Sequence, residues 1–318
     1  MQFGPRSFNP PFSRRDATLG VLARREERLA FVFLSPWLIG LAVFTVGPII
    51  ASLFISFTDW NLMNPPRWVG LANYEKMFDD RDFYNSLSVT LKYVVLSVPL
   101  YMVLGLALAL LLNQRLRGMF VFRSILFMPS VIAGTAVAVL WAILLNPDAG
   151  VVNQMLRAIG FSDPPRWLAS TNWAVPAVVL MGVWGIGGGV IIYLAGLQNI
   201  PAQLYEAASI DGASQFQKFR HITLPMLTPT LFFQLITGLI AAFQVFDVAY
   251  VLSGREGARP RALMFYLLNL FEEGFRSARF GYASALAWVM VVVAAVAIIV
   301  LFRTSERWVF YEGDTGRG

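Results

Sequence analysis

Residues 206–225, EAASIDGASQFQKFRHITLP, form a polar island of about twenty residues in a chain otherwise built from long apolar segments. A stretch so charged cannot sit in lipid and must project into water. Leu204, Ala207, Ala208 and Ile210 predict a short helix that Asp211-Gly212 breaks; Phe216, Phe219 and Ile222 predict a second, which Pro225 stops. Two short amphipathic helices around a glycine elbow suit docking chemistry better than a slack linker. The competing possibility is an interfacial helix pair with no partner.

A second set of polar residues lies in the apolar segment that follows. At 100° per residue, Gln234, Thr237, Gln244 and Asp247 fall within a sector of about 140°. Lipid does not tolerate such a face, so it should point to a partner helix or a wet cavity. Amides, carboxylates and aromatic faces bind sugars, and Trp184, Tyr193 and Tyr250 are near in sequence order. Interhelical hydrogen bonding without a solute is the alternative, evenly balanced for Gln244. For Asp247 an ion pair with Lys92 is favoured over solute binding, although Lys92 could instead snorkel to the outer headgroups. Gly182, Gly185, Gly187, Gly188 and Gly189 read first as close helix packing, with Gly185 and Gly189 at Gly-xxx-Gly spacing, and second as a broken helix lining a path.

Other chemistries are excluded. With no cysteine there is no disulfide, thiol catalysis, iron–sulfur cluster or thiolate zinc site. His221 is the single histidine, so neither a histidine metal site nor a Ser-His-Asp triad can be built. Asp79-Asp80 and Glu272-Glu273 are adjacent acids that solvated loops explain. No phosphate loop of the Gly-x-x-x-x-Gly-Lys-Ser/Thr type is present.

The elements that must position these residues are membrane helices. Of 318 residues 57% are hydrophobic and 14% charged, with mean hydropathy +0.61; a soluble domain carries about 25% charge. The chain is expected to be an all-α polytopic membrane protein. Its net charge of +6 and pI near 9.8 then mark a cytoplasmic side rather than a nucleic-acid partner. Residues 1–28 read as a basic, disordered cytoplasmic tail, and Leu29–Phe57 as a retained first span rather than a signal peptide. Six spans are expected at about 30–57, 89–112, 125–145, 174–197, 229–252 and 281–302, followed by a cytoplasmic tail at 303–318. The loop at 198–228 separates spans four and five. With both termini inside, cytoplasmic segments carry 14 Lys and Arg against 10 outside, as the positive-inside rule asks. The outer loops carry Trp60, Trp68, Tyr74, Phe78, Phe83, Trp167 and Trp173, read as headgroup anchors, with contact to an outer partner as the alternative.

The order Glu206-Ala207-Ala208, Asp211-Gly212-Ala213, Ile222-Thr223-Leu224-Pro225 resembles the EAA loop of ABC importer permeases. The lead-in from Leu194 to Pro201 resembles the carbohydrate branch, the maltose- and glycerol-phosphate-type permeases. Phe44 to Pro48, Ser56 to Trp60, Val69 to Tyr74, Phe246-Asp247 and Phe280 to Ala285 add matches along most of the chain. Two features depart from the family: Ser253 to Pro260 replaces a Thr-Gly-Gly-Pro-like turn, and the extra N-terminal spans and large outer domain of the enteric maltose permease are absent.

The resemblance implies a coupling helix at 206–225, seated in a groove of a cytoplasmic ATPase. Glu206 would bond a basic ATPase residue, and Gly212 would allow a tight turn and close approach. Ala207 and Ala208 would permit tight seating, and Leu224 and Pro225 would restart the chain toward span five. It also implies an ATPase dimer that binds ATP and Mg, a second permease, and an extracytoplasmic solute-binding protein in a bacterial or archaeal cell membrane. Gln234, Thr237, Gln244, Asp247, Tyr250 and Trp184 are the substrate-path candidates. An ABC permease for an amino acid, peptide or phosphate ester, or a stand-alone secondary carrier or scaffold, would be the other possibilities.

Overall fold

A computed structural model describes residues 15–114, 116–253 and 261–310, and the chain divides after Ile55. The N-terminal unit is helical: α1 (Arg15–Leu41), a π turn (Ala42–Val46) and α2 (Gly47–Ser56). The helix thus begins well inside the tail expected to be disordered. Leu, Ala, Arg and Glu dominate residues 19–28 and are strong helix formers, so helix propagates outward from the apolar run. Leu29–Ser56 is long and apolar enough to cross a membrane.

In the second unit, β1 (Thr58–Asp59) pairs antiparallel with β2 (Arg67–Trp68), in register Thr58 to Trp68. Helices α3 (Ala72–Asp79) and α4 (Arg81–Leu112) follow, then α5 (Met119–Phe127), a 3-10 turn (Met128–Val131) and α6 (Gly134–Leu144). Next come α7 (Val151–Ala158), α8 (Ala174–Trp184), α9 (Gly187–Gln198), α10 (Ala202–Ile210) and α11 (Gln215–Lys218). A π turn (Phe219–Thr223) leads into α12 (Leu224–Phe243), followed by α13 (Asp247–Leu252), α14 (Tyr266–Phe271), a π turn (Glu272–Arg276) and α15 (Phe280–Ser305). Apart from the short hairpin the architecture is all-α, as expected.

Among the described residues of the second unit, Arg81–Leu112, Gln215–Leu252 and Phe280–Ser305 are also long and apolar enough to span. Two bent pairs pass the same test together: Met119–Val131 with Gly134–Leu144, bent by 94°, and Ala174–Trp184 with Gly187–Gln198, bent by 55°. Much of their apolar surface faces outward, as in Val95, Val103, Ile143 and Val292; lipid or a neighbouring helix can cover it at no hydrophobic cost.

Several boundaries differ from expectation for local reasons. α4 starts at Arg81 because Asp80 caps it, its side chain accepting the Asp82 N–H at 2.9 Å. Asp80 also accepts from the Tyr282 hydroxyl at 2.5 Å, so it is a joint between α4 and α15 rather than a freely solvated acid. Phe83 follows it into the core and is no headgroup anchor. Pro225 does not stop a helix. It lies in the first turn of α12, where its missing N–H is least costly. The preceding π turn lets the Leu224 N–H reach the Phe219 carbonyl, so Gln215–Leu252 counts as one span-length helical run. The same device precedes Pro48, where the Gly47 N–H reaches the Ala42 carbonyl. The departure at Ser253 to Pro260 lies outside the described residues from 254 onward.

Two buried clusters hold the second unit together. One joins α4, α8, α14 and α15 through residues such as Val94, Val178, Phe265 and Leu286. There Tyr266 donates to the Leu286 carbonyl at 2.8 Å, and burial pushes its phenol above the ordinary value. The other joins the end of α4 to α9 and the start of α12 through Ala109, Tyr193, Leu197 and Leu227.

Candidate coupling surface and transmembrane cavity

The polar island folds as two helices about an elbow. α10 ends at Ile210, Asp211 turns, and Gly212 takes φ +76°, a left-handed conformation that glycine adopts without strain. Ser214 then caps α11 in a reciprocal capping box with Gln217. Three further contacts fix the pair: Tyr205 Oη to Thr223 Oγ1 at 2.9 Å, Lys218 Nζ to Ser209 Oγ at 2.8 Å, and His221 Nδ1 to the Gln217 carbonyl at 3.0 Å. Polar bonds thus close the inside of the elbow.

The outside is open. Ile210 is 87% exposed and Phe216 71% exposed, on either side of Gly212, which has nothing within 4 Å of the position a Cβ would take. Glu206, Ala207 and Asp211 are exposed beside them, while Ala208 is half-buried. Leu224 and Pro225 sit behind this surface, half-buried at the start of α12. Two large apolar side chains thus stand outward on an internally bonded polar element, which makes it a candidate contact surface.

The second feature is a cavity of about 370 Å³ between α4, the α8–α9 break and α12. It lies at the low end of the ~300–1000 Å³ range of small-molecule sites. Ser97, Tyr101, Tyr193, Gln234 and Thr237 give it polar walls, with Gly185 at the break. Gln234 donates its amide to the Gly189 carbonyl at 3.1 Å, and Tyr101 donates to the Val179 carbonyl at 2.8 Å. Both therefore tie neighbouring helices to the broken one. Thr237 bonds back to Phe233 in its own helix at 2.9 Å. The Tyr193 hydroxyl is buried and has no hydrogen-bond partner among the described residues.

The glycines of the fourth apolar segment serve both roles that the sequence left open. At Gly182 an added Cβ would collide with the Tyr101 phenol, and at Gly187 with the Leu126 backbone, so these two are close-packing positions. Gly185 packs against nothing comparable and marks the 55° break instead. The Gly185/Gly189 pair is thus one break and one contact.

The expected polar stripe divides. Gln234 and Thr237 reach the cavity, but α12 ends at Phe243 and the next helix begins at Asp247. The 100° spacing is lost there, leaving Gln244 as the exposed cap of α12 and Asp247 exposed at the start of α13. Side-chain packing accounts for the break: Phe246 joins Tyr250 at 5.5 Å and Phe271 at 5.3 Å in an aromatic cluster. Tyr250 is engaged there, away from the cavity. Asp247 and Lys92 form no ion pair, whereas Arg261 pairs with Asp82 and Arg279 with Glu273. Glu273 is therefore paired as well. Trp184 lines a separate cavity of about 210 Å³ that shares Gly182 and Gly185 with the first. Sequence reasoning missed α4, where Tyr93, Ser97, Tyr101 and Gly105 all line the cavity. Their spacing of four residues puts them on one helix face and would have revealed it.

Comparisons with known proteins bear on this arrangement. The family model described as binding-protein-dependent transport system inner membrane component matches residues 83–309. The chain is 41% identical to the probable ABC transporter permease protein YesP of Bacillus subtilis, over 91% of this chain and 94% of that one. It is 36% identical to the trehalose/maltose transport system permease protein MalF of Thermococcus litoralis, over 90% of this chain and 96% of that one. A chain from the crystal structure of a bacterial ABC transporter involved in import of the acidic polysaccharide alginate matches with TM-score 0.79 and 27% identity, covering 89% of this chain and 96% of its own. A second structure, that of a bacterial alginate ABC transporter in complex with an alginate pentasaccharide-bound periplasmic protein, matches with the same score. A polar helix pair between apolar helices, a cavity at a broken helix and similarity along nine-tenths of the sequence converge: the chain belongs to the binding-protein-dependent transport system inner membrane components, the permease subunits of ABC transporters.

Proposed function

We propose that this chain is one membrane half of an ATP-driven importer of a carbohydrate or related polyol. Six spans, with both broken pairs counted as single crossings and both termini cytoplasmic, carry the α10–α11 knob on the cytoplasmic side. The knob seats in one copy of an ATPase dimer, which binds ATP and Mg and hydrolyses the nucleotide. A second permease completes the pathway, and an extracytoplasmic binding protein delivers the solute, as the periplasmic protein in the alginate complex suggests. The trehalose/maltose and lactose permeases among the relatives favour a sugar. The wall of hydroxyls and one amide suits a polyhydroxylated solute.

The observation that carries the coupling assignment is the outward Ile210 and Phe216 on an internally bonded pair. Isolated in water this surface would be a liability; in an ATPase groove it is the buried centre of an interface. Closure of the ATPase dimer would move the knob and, through the continuous run from Gln215, the fifth span. The cavity at the α8–α9 break would then face alternate sides of the membrane.

The test is co-purification of the ATPase with a tagged Ile210→Asp/Phe216→Asp variant in mild detergent. Both residues are solvent-facing, so insertion and yield should match wild type while ATPase recovery falls by about tenfold or more. Wild-type ATPase recovery and transport by this variant would sink the coupling assignment.

A further inference from the structure

A second, larger cleft of about 750 Å³ lies apart from both the knob's outer face and the transmembrane cavity. It sits where α4 ends, where α5 begins, and where residues 198–202 leave α9 for α10. Its polar wall is one guanidinium with amides and a phenol: Asn113 and Gln114 after α4, Arg123 from α5, Gln198 and Asn199 at the end of α9, and Tyr205 in α10. No carboxylate lines it among the described residues.

Arg123 is only partly accounted for by the fold. One guanidinium nitrogen donates to the Leu112 carbonyl at 2.7 Å, capping the end of α4 as a cation should. Its Nε is buried with no hydrogen-bond partner. A guanidinium presents five N–H donors in a planar fork that matches the oxygens of a phosphate. A guanidinium only partly engaged by the end of α4, with amides around it and no carboxylate among the described lining residues, selects an oxygen-rich anion.

We propose that this cleft binds a phosphate group, carried either by an acidic phospholipid headgroup or by a free phosphate. Its position fits the lipid source: α4 and α9 both end here, and Leu116 at 61% exposure and Phe120 at 79% flank Arg123 with apolar surface. Basic pockets where membrane helices end are recurrent sites for anionic headgroups. The site also has a route to the knob. Tyr205 lines the cleft and bonds Thr223 at 2.9 Å, so a ligand held by Arg123 and Tyr205 would touch the bond that ties α10 to the turn before α12. Occupancy of the cleft is measurable without ATPase or transport, independently of the coupling assignment.

The experiment uses the purified full chain as wild type, Arg123→Gln and Gln198→Leu. Arg123→Gln keeps an amide donor toward Leu112 but loses the charge; Gln198→Leu leaves the α4 cap untouched and serves if the first variant folds poorly. Lipid retained after detergent washing is read by native mass spectrometry in phosphatidylglycerol and, separately, phosphatidylcholine. A parallel arm titrates inorganic phosphate into lipid-free detergent and reads the melting temperature. Wild type should retain phosphatidylglycerol about tenfold over phosphatidylcholine, with retention falling several-fold in a folded variant. A phosphate-dependent rise in melting temperature in wild type but not the variants, without lipid retention, assigns the site to a free phosphate. Absence of both lipid preference and phosphate response, or equal responses in wild type and both variants, overturns the proposal.

Discussion

The knob and the cavity are built on opposite plans. The Tyr205–Thr223 bond that closes the knob spans 18 residues, and the other contacts inside it are shorter still in sequence. The cavity is held by bonds across 45 residues, Gln234 to Gly189, and across 78, Tyr101 to Val179. The knob is convex and local, and among the described residues its Ile210 and Phe216 stand exposed. The cavity is concave and assembled from three helical regions, with a glycine at 182 where an added Cβ would collide with a neighbouring helix. Change at the knob should therefore spare folding and cost coupling, whereas change at the cavity glycines should cost folding first.

Gly182→Leu tests the cavity side with the largest expected effect. The new side chain must displace the Tyr101 phenol, which is itself bonded to the Val179 carbonyl. Overpacking plus loss of that bond should destabilise by about 3 kcal/mol or more. The measurement is recovery of monodisperse chain and its melting temperature in detergent; Gly182→Ala should show the same direction with smaller loss. A Gly182→Leu variant that melts like wild type would break the contrast between the two regions.

The same contrast explains what was legible in the sequence. The knob could be read from 206–225 because its helices, elbow and cap depend on neighbouring residues; only the role of Pro225 was misjudged, since a π turn and a first-turn position let the helix run through it. The apolar segments were legible from hydropathy, although α4 and α1 begin earlier than the apolar count suggests because Asp80 caps one and helix-forming residues extend the other. The cavity was half legible. Gln234 and Thr237 lie on it, but extending a helical period through Gln244 and Asp247 failed where Phe246 turns into the aromatic cluster. No local pattern announces such a tertiary break. The α4 face of Tyr93, Ser97 and Tyr101 was visible at four-residue spacing, but only the fold shows that it meets α8 and α9.

At the elbow, Gly212→Val and Gly212→Asn sharpen the other side of the contrast. A Cβ at Gly212 meets open space, so any cost comes from φ +76°. That conformation costs an ordinary L residue about 1–2 kcal/mol, more for a β-branched one, while asparagine tolerates it. Gly212→Val should shift the knob, lowering solute-stimulated ATPase activity several-fold in the assembled transporter with little change in chain yield. Gly212→Asn should restore most of that activity. Equal loss in both variants would mean that bulk at the docked surface, rather than backbone conformation, is what the elbow cannot accept.

The smallest expected effect on stability is at Tyr193, where the two plans can be separated within one side chain. Its ring is 1% exposed and packs against Gly105, so it is part of the framework. The residue lines the cavity, and its hydroxyl is buried with no hydrogen-bond partner among the described residues. Deleting a partnered buried hydroxyl usually costs about 1 kcal/mol, whereas deleting an unpartnered one is neutral or stabilising. Tyr193→Phe should therefore leave the melting temperature unchanged or slightly raised. A solute bound in the cavity would lose one hydrogen bond, raising the transport KM by about fivefold with kcat little changed. Unchanged stability with raised KM makes the hydroxyl a solute contact; unchanged stability and unchanged KM confine the solute to other walls. A fall in melting temperature would show that the hydroxyl serves the framework after all, and that the cavity's polar wall is structural at this position.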